Sequence, residues 1–124
     1  MTPSQPAALI TGASRGIGRA IALRLAPRWS IIAAARTASD LETLAAEITA
    51  RGGSCETLAV DIADGHAVQS ALDGREVDVI VNNAGVGVMK PLVDLQADEW
   101  NRMMDVNLNA VYHVTHALLP GMIR

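Results

Sequence analysis

The amino-acid sequence predicts an α/β protein built around a parallel β-sheet. Short apolar runs alternate along the chain with longer segments of helical periodicity, in the order βαβαβαβα. This order implies right-handed crossovers that place helices on the faces of a parallel sheet. The chain has 124 residues, of which 50% are hydrophobic and 19% charged, so it can build the core of one domain and does not resemble a disordered segment.

The first predicted strand, Ala7–Ile10, leads through a glycine-rich segment into a helix that ends at Pro27. One face of this helix is apolar at four-residue spacing (Ile17, Ile21 and Leu25). The second strand, Ser30–Ala35, is apolar throughout, as expected of a strand that is buried on both faces of a sheet.

The second predicted helix begins at Ser39, whose spacing to Glu42 fits a capping box. Its apolar face contains Leu41, Leu44 and Ile48. Gly52-Gly53 ends the helix with residues suited to a left-handed C-terminus. The third strand covers about Cys55–Val60 and is followed by Asp61.

The second half of the chain continues the alternation. A short helix is predicted over about Asp64–Leu72, and the fourth strand, Val79–Val81, runs into Asn82–Gly85. After a loop, one long helix is predicted over Ala97–Leu119, with Pro120-Gly121 ending it.

Composition and charge exclude several functional classes. The single cysteine cannot form an internal disulfide, and no basic residue precedes the first apolar run, so we expect a cytoplasmic protein without a signal peptide. No apolar run approaches the ~20 residues of a membrane-spanning helix. The net charge is −3 and the arginines are scattered, which does not indicate a nucleic-acid surface. His113 and His116 share a helix face without further ligands, so no metal site is expected.

The segment Thr11–Gly18 reads T-G-x-x-x-G-x-G and lies between a strand and a helix. Glycine lets the backbone approach a ligand closely, and the helix that follows presents free N–H groups and a positive dipole end to a diphosphate. The position of the segment at the first βα turn of a βαβ unit favours a dinucleotide site over a tight structural turn. A Walker loop is excluded because Arg19 follows Gly18 where that loop requires lysine.

Four motifs together resemble the short-chain dehydrogenase/reductase family. They are Thr11–Gly18, Asp61, Asn82–Gly85 and the Asn107 of Asp105–Leu108, and they occur in the family's order and spacing over essentially the whole chain. The resemblance implies a Rossmann-type doubly wound parallel sheet, with strand order 3-2-1-4. It also implies NAD(P)-dependent hydride transfer at the carbonyl or hydroxyl group of a small substrate.

The resemblance implies that a nicotinamide dinucleotide is held by a defined set of residues. The glycine-rich loop would contribute Gly12, Ser14, Arg15, Gly16, Ile17 and Gly18. Asp61 would accept a hydrogen bond from the adenine amino group, Ile62 would flank the ring, and the adenosine ribose would be lined by Asn83, Ala84 and Gly85. Structural interpretations stay open: Asp61 fits an N-terminal helix acid, and Asn83–Gly85 fits a strand-ending turn.

The end of the second strand favours NADP(H) over NAD(H). NAD sites usually carry an acid there to bind the ribose 2′-hydroxyl, whereas Ala33–Ala35 is followed by Arg36. Arg15 would supply a second guanidinium to a 2′-phosphate. The alternative is that both arginines are only solvated.

Asn107 lies at heptad spacing in the apolar face of the predicted long helix. That face contains Trp100, Met103, Met104, Val111, Val114 and Leu118. Periodicity alone favours a structural, hydrogen-bonded asparagine at this position. The resemblance instead implies a catalytic role, in which Asn107 kinks the helix and holds a water of the proton relay behind the catalytic residues.

The residues that would complete this chemistry are not among the 124. The family uses a serine, a tyrosine and a lysine four residues after that tyrosine. Here the only lysine, Lys90, precedes the only tyrosine, Tyr112, and no serine follows Ser70. We therefore expect residues 1–124 to be one incomplete dinucleotide-binding domain, truncated after the fourth strand and the long helix, and inactive alone. We expect a homo-oligomer when the protein is intact.

Truncation at this point would leave Val79–Val81 as an open apolar strand edge, so we expect the isolated chain to be marginally stable, to aggregate or to depend on a partner. Two alternatives to an enzyme stay open: a non-catalytic module that binds a dinucleotide or a partner, and a remnant without binding function. A coding frame that continues into a serine and a Tyr-x-x-x-Lys would favour the enzyme, and cofactor titration would separate the other two.

Overall fold

The structure is a computed structural model that describes residues 5–124. Its centre is a parallel sheet of four strands: β1 (Ala7–Thr11), β2 (Ser30–Ala35), β3 (Cys55–Ala59) and β4 (Val79–Val81). The strand order is β3-β2-β1-β4, and in this register Leu9 lies opposite Ile32 on one side and Ile80 on the other. The chain therefore proceeds from β1 towards one edge and then crosses to the other side for β4, which confirms the predicted doubly wound topology.

The helices cover both faces of the sheet. They are α1 (Gly16–Leu25), α2 (Ala38–Ala50), α3 (Gly65–Leu72), α4 (Ala97–Met104) and α5 (Ala110–Ile123). Successive strand residues point to opposite faces. Ile10 and Ile31 therefore pack with α1 and α2, whereas Leu9 and Ile32 pack with α3 and α5. The first cluster is completed by residues such as Ala22, Leu41, Leu44 and Ile48, and the second by Val68, Leu72, Val114 and Leu118.

The predicted start of α2 was wrong. Thr37, with an extended backbone, is the residue before the helix, and Ser39 lies inside the first turn, where its carbonyl accepts a hydrogen bond from Thr43 Oγ1 at 3.2 Å. The spacing of Ser39 and Glu42 is compatible with either placement, so the motif alone cannot locate the cap. The predicted C-terminus is confirmed, because Gly52 has φ +87° and the Gly53 N–H donates to Ile48 O at 2.9 Å.

The predicted long helix is interrupted by a π-helical segment, Asp105–Asn109, between α4 and α5. The prediction that Pro120-Gly121 ends the helix was wrong, because α5 continues through Pro120 to Ile123. The predicted apolar face is confirmed at Val114 and Leu118, which are buried, and is wrong at Trp100 and Val111. Trp100 and Val111 are exposed, whereas the buried positions are Val106, Ala110, Val114 and Leu118.

β4 lies at one edge of the sheet, so the apolar edge predicted at Val79–Val81 is confirmed within residues 5–124. The aggregation expected from that edge stays a prediction. None of the helices in this part of the chain combines the length and the hydrophobicity needed to cross a bilayer. Met1–Ser4, on which the expected absence of a signal peptide partly rests, lies outside the described residues.

Candidate functional site

The segments that follow the four strands line one cleft of about 380 Å³ at the carboxyl edge of the sheet. Its lining includes Gly12, Ser14, Arg15 and Ile17 after β1, Arg36 and Thr37 after β2, Asp61 and Ile62 after β3, and Asn83, Ala84 and Gly85 after β4. Ligands of open α/β sheets bind at this edge, beside the point where the strand order reverses. Of the predicted cofactor-binding residues, only Gly16 and Gly18 do not line the cleft.

Two glycines allow the loop after β1 to pack against the end of β4. Gly12 has φ +65°, and a Cβ at this position would lie 2.8 Å from Ala84 Cα. A Cβ at Gly18 would overlap Gly12 O and would lie 2.5 Å from Asn83 Nδ2. Gly18 therefore permits a close approach between α1 and β4 and has no direct place in the cleft.

The hydroxyl group of Thr11 joins the end of β1 to the segment that follows β4. The Oγ1 atom accepts hydrogen bonds from the backbone N–H groups of Asn83 and Ala84, both at 3.0 Å. The Asn83 amide returns the contact by donating to Thr11 O at 3.2 Å and to Gly12 O at 3.3 Å. The motifs assign Thr11 no role of its own, although a threonine at the end of an apolar strand is a signal for such a contact.

The cleft has positive groups where a diphosphate would lie. The first turn of α1 contains no acid, and among the described residues no side chain caps the helix, so its N–H groups are available to an anion. Arg15 and Arg36 are both exposed and both line the cleft. A phosphate-bearing dinucleotide therefore fits the steric and the electrostatic character of this cleft, although the Asp40 and Asp61 side chains also line it.

Asp61 is held by two neighbours at the end of β3. Arg102 Nη1 donates to Asp61 Oδ1 at 3.2 Å and to Oδ2 at 3.0 Å, and the Ala63 N–H donates to Oδ1 at 3.1 Å. Partial burial raises the pKa of Asp61, but the hydrogen bonds from Arg102 and Ala63, together with the Arg102 and Arg36 charges, lower it to below its usual value. Asp61 is not the cap of α3, because Asp64 occupies that position and accepts from Ala67 N at 3.2 Å.

Asn107 lies in the middle of the π segment and does not line the cleft. Its Nδ2 donates to Val86 O, and the Val86 N–H donates to Asn107 Oδ1, both at 2.8 Å. The side chain is exposed, which corrects the expectation that it lies within a buried apolar face. Its polar atoms are bound by the loop after β4 and not by a neighbouring helix.

His113, His116 and Tyr112 lie on α5, away from the cleft. The His113 ring packs against Gly65, and the His116 ring centroid is 5.1 Å from that of the exposed Tyr112. Within residues 5–124 no three His, Cys, Asp or Glu side chains are grouped so that they could hold a metal ion.

Comparison with known proteins decides the family. The sequence profile described as short chain dehydrogenase matches residues 6–124. The chain belongs to the short-chain dehydrogenase/reductase family. The chain is 39% identical over 123 residues to the serine 3-dehydrogenase of Agrobacterium fabrum, an alignment that covers 94% of this chain and 48% of the relative. It thus spans about half the length of the curated relatives that it matches.

Solved structures of the family contain the same fold. A metagenomic short-chain oxidoreductase in complex with NADP superimposes with a TM-score of 0.91 at 38% identity, over 95% of this chain and 57% of that chain. Carveol dehydrogenase from Mycobacterium avium, in complex with NAD, gives a TM-score of 0.85 at 34% identity, over 95% of this chain and 50% of that one. The solved relatives thus include complexes with either dinucleotide.

Proposed function

We propose that this member of the family binds a nicotinamide dinucleotide in the cleft and serves the oxidation or reduction of a small alcohol or carbonyl compound. The observation that carries the proposal is the convergence of the glycine-rich loop, Arg15, Arg36 and the ends of all four strands on one cleft. Bound NADP(H) would supply hydride exchange between its nicotinamide ring and the carbon of the substrate's carbonyl group.

Each wall of the cleft has a proposed role. The diphosphate would lie at the N-terminus of α1, held by backbone N–H groups of the loop around Ser14–Gly16. The adenine would lie near Asp61 and Ile62, and the ribose near Asn83–Gly85. Gly12 and Gly18 would act by allowing the close backbone packing that shapes this wall. Together these roles make residues 1–124 the proposed dinucleotide-binding domain.

The cation pattern supports a preference for NADP(H) over NAD(H). Arg36 directly follows β2, where an NAD site usually carries an acid, and Arg15 lines the same cleft. The Thr37 hydroxyl lies next to Arg36 at the start of α2 and adds a potential donor to a 2′-phosphate. The NADP complex of the metagenomic relative is consistent with this preference, although another relative was crystallised with NAD.

Catalysis would need groups beyond those in the cleft. Asn107 is the one residue to which we assign a part in the proton relay, and its place in the π segment supports a role in shaping the helix. The 124 residues contain no Tyr-x-x-x-Lys and no serine after Ser70. We infer that a polypeptide limited to these residues binds the cofactor without turnover. The homo-oligomeric state and the cytoplasmic location stay predictions.

Equilibrium titration tests the proposal directly. The protein, expressed from its complete coding sequence, should bind NADP at least about tenfold more tightly than NAD, the contribution of a hydrogen bond to a charged group. Tighter binding of NAD would contradict the cofactor preference. Binding of neither dinucleotide would contradict the proposed function, and binding without turnover of any alcohol or carbonyl compound would favour a non-catalytic module.

A further inference from the structure

An arginine that the motifs do not include contacts the proposed adenine site. Arg102 lies in the last turn of α4, 41 residues after Asp61 in the sequence, and both residues line the cleft. The Arg102 and Asp61 side chains are 35% and 41% exposed. An ion pair with this exposure contributes little to stability, so its main effect is on the orientation of the two groups.

The two oxygen atoms of the Asp61 carboxylate accept different numbers of hydrogen bonds. The Oδ1 atom accepts from both Arg102 Nη1 and the Ala63 N–H, whereas Oδ2 accepts from Arg102 alone among the described residues. A carboxylate oxygen can accept about two hydrogen bonds, so Oδ2 keeps one free position. Ala63 anchors the carboxylate from the backbone and Arg102 anchors it from α4, which fixes the plane of the carboxylate and the direction of that free position.

We propose that Arg102 is a positioning residue for base recognition. It holds the Asp61 carboxylate so that Oδ2 accepts a hydrogen bond from the exocyclic amino group of the adenine, and the site therefore selects a 6-aminopurine dinucleotide. The inference rests on the proposed function. Without Arg102, Asp61 keeps only the Ala63 anchor, and its partly exposed carboxylate turns towards water. The pair also attaches α4 to the cofactor cleft.

Because Arg102 lines the cleft, a second interpretation is possible, and the experiment below distinguishes it from the proposal. Arg102 could contact the base or a phosphate directly, without acting through Asp61. Adenine and hypoxanthine have similar ring faces and carry the same phosphates, so a direct contact of this kind would affect both dinucleotides equally. A selective effect on the adenine dinucleotide shows that Arg102 acts on the edge of the base that carries the amino group, and the Asp61→Asn background shows whether that action passes through Asp61.

The experiment compares NADP with its hypoxanthine analogue, in which the amino group is replaced by a carbonyl group. Dissociation constants are measured by calorimetry for the unaltered protein, expressed from its complete coding sequence, and for Arg102→Gln. The unaltered protein should prefer NADP by about tenfold or more, the effect of one charge-assisted hydrogen bond. Arg102→Gln should weaken NADP binding, leave binding of the analogue nearly unchanged, and so reduce the preference to less than about threefold.

Arg51→Gln is the matched control, because Arg51 also pairs with a carboxylate but lies after α2, outside the cleft lining. This variant should keep the full preference. Asp61→Asn should lose the preference, and adding Arg102→Gln to it should change the preference no further. If the single Arg102→Gln variant folds poorly, the preference for NADP measured in Asp61→Asn still tests whether Asp61 reads the amino group.

Three outcomes would overturn this inference without touching the proposed function. Arg102→Gln could lose equal affinity for both dinucleotides, or it could keep the full preference for NADP over the analogue. Adding Arg102→Gln to Asp61→Asn could also reduce that preference further. An unaltered protein that binds both dinucleotides equally well would also overturn it and leave the proposed function standing. An unaltered protein that binds neither would overturn both.

Discussion

The side chain of Asn107 pairs with the peptide group of Val86 through two hydrogen bonds of 2.8 Å, one donated and one accepted. The contact joins the π segment to the loop after β4, and Val86 itself lines the cleft. The pair therefore couples the shape of the long helix to one wall of the proposed cofactor site.

Asn107→Ala should reduce turnover of the complete enzyme by roughly a hundredfold, the usual effect of disturbing a proton-transfer path. Cofactor affinity should change much less, because Asn107 does not line the cleft. Steady-state kinetics and calorimetry on the same preparation would measure the two effects. Asn109→Ala is the control, since Asn109 bonds only to Asp105 Oδ1 among the described residues. A larger loss in affinity than in turnover would contradict the relay role.

Arg36→Ala should weaken NADP binding by roughly ten- to a hundredfold and leave NAD binding nearly unchanged, because it removes a charged donor to the 2′-phosphate. Fluorescence titration with both dinucleotides would measure the change. Arg28→Ala is a suitable control, since Arg28 precedes β2 and so lies at the opposite end of the sheet. Parallel losses for NADP and NAD would argue that Arg36 does not read the 2′-position.

Thr11→Val should lower the free energy of unfolding by about 2 kcal/mol, because the Ala84 N–H loses its acceptor in a partly buried place, whereas the Asn83 N–H keeps a hydrogen bond to Val81 O at 3.0 Å. The substitution conserves the shape of the side chain, so little of the loss should come from packing. Urea unfolding would measure it. Thr11→Ser retains the hydroxyl group and should recover most of the stability; equal losses in the two variants would show that the methyl group matters instead.

Gly18→Ala should destabilise the protein by at least about 2 kcal/mol, because the new Cβ would overlap Gly12 O and Asn83 Nδ2. Gly87→Ala is the matched control. A Cβ at Gly87 meets no described atom within 4 Å, so its effect should stay within about 0.5 kcal/mol. Thermal unfolding of both variants would test the prediction, which fails if Gly18→Ala unfolds like the unaltered protein.

Glu47 should make stability depend on acid pH. The hydrogen bond from Arg19 on α1, together with the Arg19 and Arg51 charges, holds the pKa of Glu47 below its usual value of 4.5 despite partial burial. A carboxyl group with a lowered folded-state pKa stabilises the protein above its unfolded-state pKa, and this contribution disappears as the pH falls through the folded-state value. Glu47→Gln should therefore be less stable than the unaltered protein at pH 7.

The difference in urea midpoint between the unaltered protein and Glu47→Gln should become smaller as the pH falls below 4.5. Glu42→Gln, on the exposed side of the same helix, should show no such narrowing. A gap for Glu47→Gln that is constant from neutral to acid pH would contradict this role of the ion pairs.

The predicted elements that rest on local pattern agree closely with the structure. Ser30–Ala35 and Val79–Val81 are strands with the predicted bounds, and Asp64 caps α3, which ends at Leu72 as expected. The errors fall where a pattern has two local solutions. Ser39 fits a cap or a first-turn position equally well, and Pro120 close to a helix end costs only one backbone hydrogen bond, so the helix passes through it.

The apolar face of the long helix was predicted incorrectly around the π segment for a different reason. An additional residue in a π turn changes the side-chain register around that turn, so the apolar face inferred across Asp105–Asn109 was wrong at Asn107 and Val111, although Val114 and Leu118 are buried as predicted. Asn107 consequently points to the loop at Val86 and not into the core. A resemblance at the level of motifs implied the kink, but it did not identify the partner.

The sequence by itself determined the alternation of strands and helices, the glycine-rich loop and the arginines after β1 and β2, because these depend on the periodicity and residue type of neighbouring positions. Only the tertiary structure decided that Thr11 would bind Asn83, and that Arg102 would reach Asp61 across 41 residues of chain. Such contacts depend on where the crossovers place the ends of β1, β3 and β4 and the helix α4 in space. No local pattern encodes that placement, because it results from packing the helices onto both faces of the sheet at once.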